Sequence, residues 1–229
     1  MRGGIVRCLA WVSAIVVLVA CASTDRGVLV EPFGTSSDGA PQVSLVRGPF
    51  TSVAMVGDSI TKASRTSLTD VFMTLGMKDQ YIDGEVGRRI EVGNGNGPAP
   101  LSGIRTLYGM LAMKAKPDVW VVELGTNDVG SYAKPDDYGH LIDQVLGMLP
   151  KDAPLVWVNT YREQYLDATK VFNLVLLQRI ESRGHAVVAD WFSVASVSNQ
   201  NVLRTDHLHP NTNGQKALAL LVAQALQRL

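Results

Sequence analysis

Ser52-Val53-Ala54-Met55-Val56-Gly57-Asp58-Ser59 is the stretch that decides the fold. Four apolar residues, Val53 to Val56, follow one another without alternation and stop at a glycine and two polar residues. A short unbroken apolar run closed by turn formers is the pattern of a strand buried on both faces of a parallel sheet. Tyr81 to Val86, Val119 to Leu124, Leu155 to Asn159 and Ala186 to Ala189 are the four further strand candidates.

Apolar residues between these runs keep helical spacing. Leu68, Val71, Phe72 and Leu75 form one such set, Tyr138, Leu141, Ile142 and Val145 a second, and Leu218, Leu221, Val222 and Ala225 a third. Alternating strand and helix predicts an α/β chain folded as a three-layer α/β/α sandwich around a doubly wound, parallel, five-stranded sheet. Ligands bind such sheets beyond the carboxyl ends of the strands. Gly57-Asp58-Ser59 and Gly125-Thr126-Asn127-Asp128 both fall at that rim.

Nearly half of the 229 residues are apolar, enough to bury a sizeable core. Lysine plus arginine and aspartate plus glutamate balance at 21 each, which argues against a nucleic-acid partner. Arg2 and Arg7 precede an apolar stretch from Leu9 to Ala20, the layout of an export signal. Leu18-Val19-Ala20-Cys21 resembles the lipobox of bacterial lipoproteins, which implies a lipid anchor on Cys21 and an extracytoplasmic, membrane-attached protein. Cleavage after Ala20-Cys21-Ala22, releasing a secreted protein, is the alternative. The expected organisation is therefore residues 1–21 as signal peptide and lipobox, 22–50 as a flexible tether rich in Ser, Thr, Gly and Pro, and 51–229 as the folded α/β domain. Cys8 and Cys21 are the only cysteines, so the domain carries no disulfide or thiol nucleophile.

Three remote segments carry chemistry. Ser59 offers a hydroxyl that needs a base within hydrogen-bond reach to act as a nucleophile; its bland alternative is the N-cap of the helix that follows. Asp206-His207-Leu208-His209-Pro210 offers that base together with an orienting carboxylate. A metal site from Asp206, His207 and His209 is the competing reading, weakened by the scarcity of other histidines, and no metal or other cofactor is expected. Asn127 offers an amide N–H for a developing oxyanion, or simply an Asn-Asp turn. Gly-x-Ser-x-Gly does not occur around Ser59, since Thr61 stands two residues on. Gly93-Asn94-Gly95-Asn96-Gly97 lacks the Lys-Ser/Thr ending of a phosphate loop and reads as a loop beside the site.

Gly57-Asp58-Ser59-Ile60, Gly125-Thr126-Asn127-Asp128 and Asp206-x-x-His209 resemble, in order, blocks of the SGNH (GDSL-type) hydrolase family over Thr51 to Leu229. The resemblance implies a flavodoxin-like fold and a serine hydrolase. It selects Ser59 as nucleophile, His209 as base in preference to His207, and Asp206 as its orienter. The lone glycine of the remaining block is assigned to Gly87, with Gly84 close by. The oxyanion hole would then be the main-chain N–H groups of Ser59 and Gly87 with the Asn127 side chain.

Val86-Gly87-Arg88, Trp157-Val158-Asn159-Thr160, Asp190-Trp191 and Thr205 to Pro210 also resemble the extracytoplasmic domain of bacterial peptidoglycan O-acetyltransferases. That likeness implies acyl esters of cell-wall glycans or other envelope components as substrate. In that family a multi-span membrane acyltransferase usually precedes the domain and delivers the acyl group. Transfer to a sugar would therefore call for an acyl-donor partner protein or an existing ester, whereas hydrolysis needs only water. The expectation is an extracytoplasmic serine esterase for short-chain acyl esters; an O-acyltransferase and a silent glycan-binding lipoprotein are its alternatives. Tyr132, Tyr161, Tyr165 and Trp191 are candidate sugar platforms or core aromatics. Arg88 and Arg89 are candidate partners for an anionic acyl group or glycan, or plain surface arginines.

Overall fold

In a computed structural model of the chain, strands β1 (Leu29–Val30), β2 (Ser52–Gly57), β3 (Asp79–Gly84), β4 (Val119–Glu123), β5 (Leu155–Val158) and β6 (Ala186–Ala189) form one parallel sheet. Their order is β1-β6-β5-β4-β2-β3. The structure describes residues 29–30, 45–93, 95–96, 99–197 and 201–229. The expected signal segment with Cys21, most of the expected tether, and Asn94 and Gly97 of the glycine-rich loop lie outside the described residues.

The unbroken apolar runs are buried because helices cover both faces of the sheet. Val53 and Met55 of β2 and Val121 of β4 point to one face, where α1 (Ser59–Thr74), α5 (Trp191–Ser196) and α6 (Thr212–Leu226) pack. Ala54 and Val56, with Trp120 and Val122, point to the other, under α2 (Gly103–Ala112), α3 (Pro135–Met148) and α4 (Leu166–Arg183). All four apolar residues read at helical spacing in α3, and all four in α6, are buried. This is the three-layer α/β/α arrangement with the expected five parallel strands. Among the described residues, no helix is long and apolar enough to cross a membrane.

Two boundaries differ from the sequence reading. The second strand lies two residues earlier than Tyr81 to Val86, because Glu85 to Arg88 form a turn closed by the Arg88 N–H on the Glu85 carbonyl at 3.2 Å. Gly87 has φ +72° there, at the third position of a turn that favours glycine. As an edge strand, β3 tolerates the exposed Asp79 and the half-buried Gln80 at its start. A sixth strand lies inside the segment read as a tether: Leu29 pairs with Val188 and Val30 with Ala189. Leu45, also before the expected domain start, packs against the core beside Phe50.

The chain order reverses at β2. Its connections lead to β3 on one side and then, through β4, to the other, so the carboxyl ends of β2 and β4 flank the switch point where α/β sheets open a crevice.

Candidate active site

Ser59 is the first residue of α1, directly beyond β2, and is 9% exposed. The helix is capped by the residue before it: Asp58 Oδ1 accepts the Ile60 N–H at 2.8 Å. The capping role read for Ser59 as its bland alternative falls to Asp58, and the Ser59 hydroxyl is left for another partner. That partner is His209, whose Nε2 lies 3.0 Å from Ser59 Oγ.

His209 is held by its own short loop. Leu203 and Pro210 bridge antiparallel, the Arg204 N–H donates to the His209 carbonyl at 2.8 Å, and His207 takes φ +54° at the loop tip. Asn211 caps α6 through the N–H groups of Asn213 and Gly214, while its amide nitrogen donates to the Leu203 carbonyl. The loop is thereby fixed to the start of the helix. Asp206 Oδ1 accepts the N–H groups of Leu208 and His209 at 3.0 and 2.9 Å, and Oδ2 lies 2.8 Å from His209 Nδ1. A carboxylate accepts only, so Nδ1 carries the proton and Nε2 faces Ser59 as an acceptor. Partial burial pushes the Asp206 carboxyl up, but the His209 N–H, the imidazole and the Leu208 N–H outweigh it and bring it down to about 2. His207 turns to Glu163 at 3.5 Å, away from Asp206 and His209. The two histidines thus do not converge on one ligand position as the metal reading required.

Asn127 sits in the turn after β4, where Asp128 and Val129 donate to the Gly125 carbonyl. Gly125 has φ +127°, and a side chain there would run into the Phe172 ring. Asn127 Nδ2 donates to Asp58 Oδ2 at 3.2 Å and to the Arg88 carbonyl at 3.0 Å. It therefore joins the residue before Ser59 to the residue after Gly87, and the three rim segments form one hydrogen-bonded unit. Both of its amide protons are engaged in this state.

Carboxyl groups underlie these loops. Asp128 Oδ2 accepts the Ile90 N–H at 3.0 Å and Oδ1 faces Arg89 Nε at 3.3 Å. Burial lifts Asp128 to about 6. Glu123, the last residue of β4, is 1% exposed, and sequence reasoning passed over it. Its Oε2 accepts the N–H groups of Asp58 and Thr61 and the Thr61 hydroxyl, at 3.2, 3.1 and 2.9 Å. Burial, then the Asp58 charge, pushes Glu123 well above the usual carboxylate range, and burial lifts Asp58 to about 6. The signal for Glu123 was present: a lone acid closing the apolar run Val119 to Val122 must find partners inside.

Arg88 is not the surface residue that the sequence allowed. It is 4% exposed and donates to the carbonyls of Gly57, Asp83 and Leu101 and to Asp83 Oδ1, at 2.8 to 3.1 Å. Its guanidinium fastens the ends of β2 and β3 to the following loop. Arg89 is partly exposed, with Tyr132 beneath it. Of the four aromatic candidates, Trp191 and Tyr161 are buried in the core, and Tyr132 and Tyr165 stay partly accessible. Arg162, also unforeseen, donates to the Thr126 carbonyl at 2.9 Å and lies over the Tyr165 ring.

The arrangement supplies an alcohol with a base in contact, a carboxylate behind the base, and an amide donor tied to the same turn. Those are the parts of acyl transfer through a serine ester.

Several solved structures share the fold. The Streptococcus pneumoniae peptidoglycan O-acetyltransferase A (OatA) C-terminal catalytic domain, determined with a methylsulfonyl adduct, matches with a TM-score of 0.61 at 20% identity, covering 79% of this chain and 94% of that one. A member of the lipolytic G-D-S-L family from Veillonella parvula matches with a TM-score of 0.62 at 17% identity, over 78% and 99% of the two chains. A Clostridium thermocellum family 3 carbohydrate esterase matches with a TM-score of 0.56 at 18% identity, over 75% and 92%. A search of curated proteins finds no match. The profile of the GDSL-like Lipase/Acylhydrolase family matches residues 55–217, which is most of the chain and spans Ser59, Asn127, Asp206 and His209; the protein belongs to that family.

Proposed function

We propose that the protein is an extracytoplasmic serine esterase that removes short acyl groups from esters of cell-envelope glycans or lipids, anchored through a lipid on Cys21. The observation that carries the reaction is the 3.0 Å contact of Ser59 Oγ with His209 Nε2, backed by Asp206 at Nδ1. His209 takes the hydroxyl proton as Ser59 attacks the ester carbonyl, and Asp206 stabilises the imidazolium that results. The oxyanion is met by the N–H groups of Ser59 and Gly87 and by Asn127, which redirects the N–H resting on the Arg88 carbonyl. His209 returns its proton to the departing alcohol, leaving an acyl group on Ser59. Water, deprotonated by His209, then releases the acid.

A glycan ester is favoured among substrates because two proteins of this fold carry carbohydrate or peptidoglycan chemistry in their names. The second reading, transfer of the acyl group to a cell-wall sugar with a partner as donor, shares the acyl-Ser59 intermediate and differs only in the acceptor.

A fluorophosphonate probe tests the proposal. The wild type is expected to be labelled at Ser59 and Ser59→Ala not; an unlabelled wild type would favour a silent binding protein. Acetate release from a nitrophenyl ester, with and without soluble chitooligosaccharide, separates hydrolysis from transfer. Acetylated sugar as the main product would replace the esterase reading with the second.

A further inference from the structure

Three arginines adjoin the turn that carries Asn127, and two of them have a carboxylate: Arg88 has Asp83 and Arg89 has Asp128. Arg162 is half-buried and has none among the described residues. Its Nη1 donates to the Thr126 carbonyl at 2.9 Å, and its guanidinium lies 4.9 Å from the centre of the Tyr165 ring. Nε and Nη2, which form the other edge of the fork, have no partner among the described residues. Glu163, the next residue, turns to His207 at 3.5 Å instead. Taking a cation part-way out of water without a counter-charge is unfavourable, and an open edge of two parallel N–H groups matches a carboxylate.

The segment that carries Arg162 is held firmly. The Asn173 carboxamide of α4 engages both the N–H and the carbonyl of Thr160, at 3.0 and 2.8 Å. The Thr160 hydroxyl lies 2.6 Å from that of Thr126, the residue before Asn127. Tyr165 packs against Gly130, where a Cβ would come within 2.6 Å of the ring. Arg162 is thus fastened to the turn of Asn127, while Glu163 beside it reaches the loop of His209. A fixed guanidinium binds its partner without first paying to order a long side chain.

We propose that Arg162 is a specificity residue: its open edge of Nε and Nη2 takes a carboxylate that the substrate carries beside the scissile ester. The proposal rests on the esterase reading above and narrows its substrates to acyl esters with an acidic group. That group belongs either to the sugar that leaves or to the acyl group that Ser59 receives.

Two substrate pairs distinguish these sources: an O-acetylated methyl glucuronoside against the matching glucoside, and nitrophenyl monoadipate against nitrophenyl hexanoate. In one pair the acidic member is expected to have the higher kcat/KM by about tenfold or more, with the difference residing in KM. Arg162→Gln is expected to abolish that preference and to leave the neutral members within about threefold of wild type. Arg162→Lys keeps the charge without the fork, and its preference is expected to be smaller than that of the wild type. No preference in either pair, or one that survives whole in Arg162→Gln, overturns the proposal. So does an Arg162→Gln enzyme that loses acidic and neutral substrates alike, the mark of an arginine that only fastens the Thr126 carbonyl. If Arg162→Gln does not fold, Arg162→Lys decides, and an unchanged preference there overturns the proposal. A wild type that hydrolyses neither pair and is not labelled at Ser59 would end the esterase reading and this one with it. Neutral esters cleaved as well as acidic ones would end this one alone.

Discussion

Ser59 Oγ lies 3.0 Å from His209 Nε2, although 150 residues separate the two in the chain. The contact is produced by two independent pieces of local structure. The α1 cap on Asp58 places the hydroxyl, and the Leu203–Pro210 loop, held by Asn211, places the ring.

Ser59→Ala and His209→Ala are each expected to lower kcat by about 10⁴-fold or more, and Asp206→Asn by about 10⁴-fold through loss of the correct tautomer. Unfolding midpoints of the three variants should stay close to that of the wild type, since the pair lies at the rim. Ester hydrolysis measured beside circular dichroism checks this; a Ser59→Ala protein with wild-type turnover would remove Ser59 from the mechanism.

Replacing Asn127 by Ala removes the donor that links the Asp58 and Arg88 segments. An expected loss of 10²–10³ in kcat, about 2.7–4 kcal/mol of transition-state stabilisation, should come with little change in KM. A variant whose defect lies in KM alone would assign Asn127 to ground-state binding.

Burial of Glu123, which pushes its carboxyl well above the usual range, has a stability consequence with a definite sign. An acid whose folded pKa is raised binds more proton when folded. The stability that this carries is complete below the ordinary value of 4.5 and drains away as pH rises toward the folded one. Glu123→Gln has no such slope. Its stability relative to wild type should improve between pH 5 and pH 8, by up to about 1.4 kcal/mol per pH unit, in urea titrations at the two pH values. A difference that does not change with pH would mean that Glu123 is ionised in the folded protein.

Arg88→Met leaves the Asp83 carboxylate and three carbonyls without the guanidinium that they share. A loss of about 3 kcal/mol in unfolding free energy is expected. KM values for anionic and neutral nitrophenyl esters should move together, as befits a structural arginine. A rise confined to the anionic ester would restore the substrate role.

Residues 53–56 read correctly because a strand covered on both faces leaves no room for polar side chains, so burial is written into every position. The β3 start was missed for the opposite reason: Asp79 and Gln80 lie on an edge, where solvent removes the apolar signal. Leu29 and Val30 are too few to make a pattern at all. At the site, Ser59, Asn127, Asp206 and His209 were legible because each ends an element or lies at motif spacing. Arg88 and Glu123 were not. Their meaning depends on acceptors and donors brought in from distant segments, and one charged letter looks the same whether it meets water or a carbonyl.

Strand direction has a topographic consequence. β1 runs parallel to β6, so the polypeptide enters the sheet at the margin opposite the rim that bears Ser59. Cys21 precedes Leu29 by eight positions, a reach of roughly 29 Å at full extension. Under the anchor proposed above, the point of attachment falls on the side of the sheet away from Ser59, and the reactive hydroxyl faces away from it.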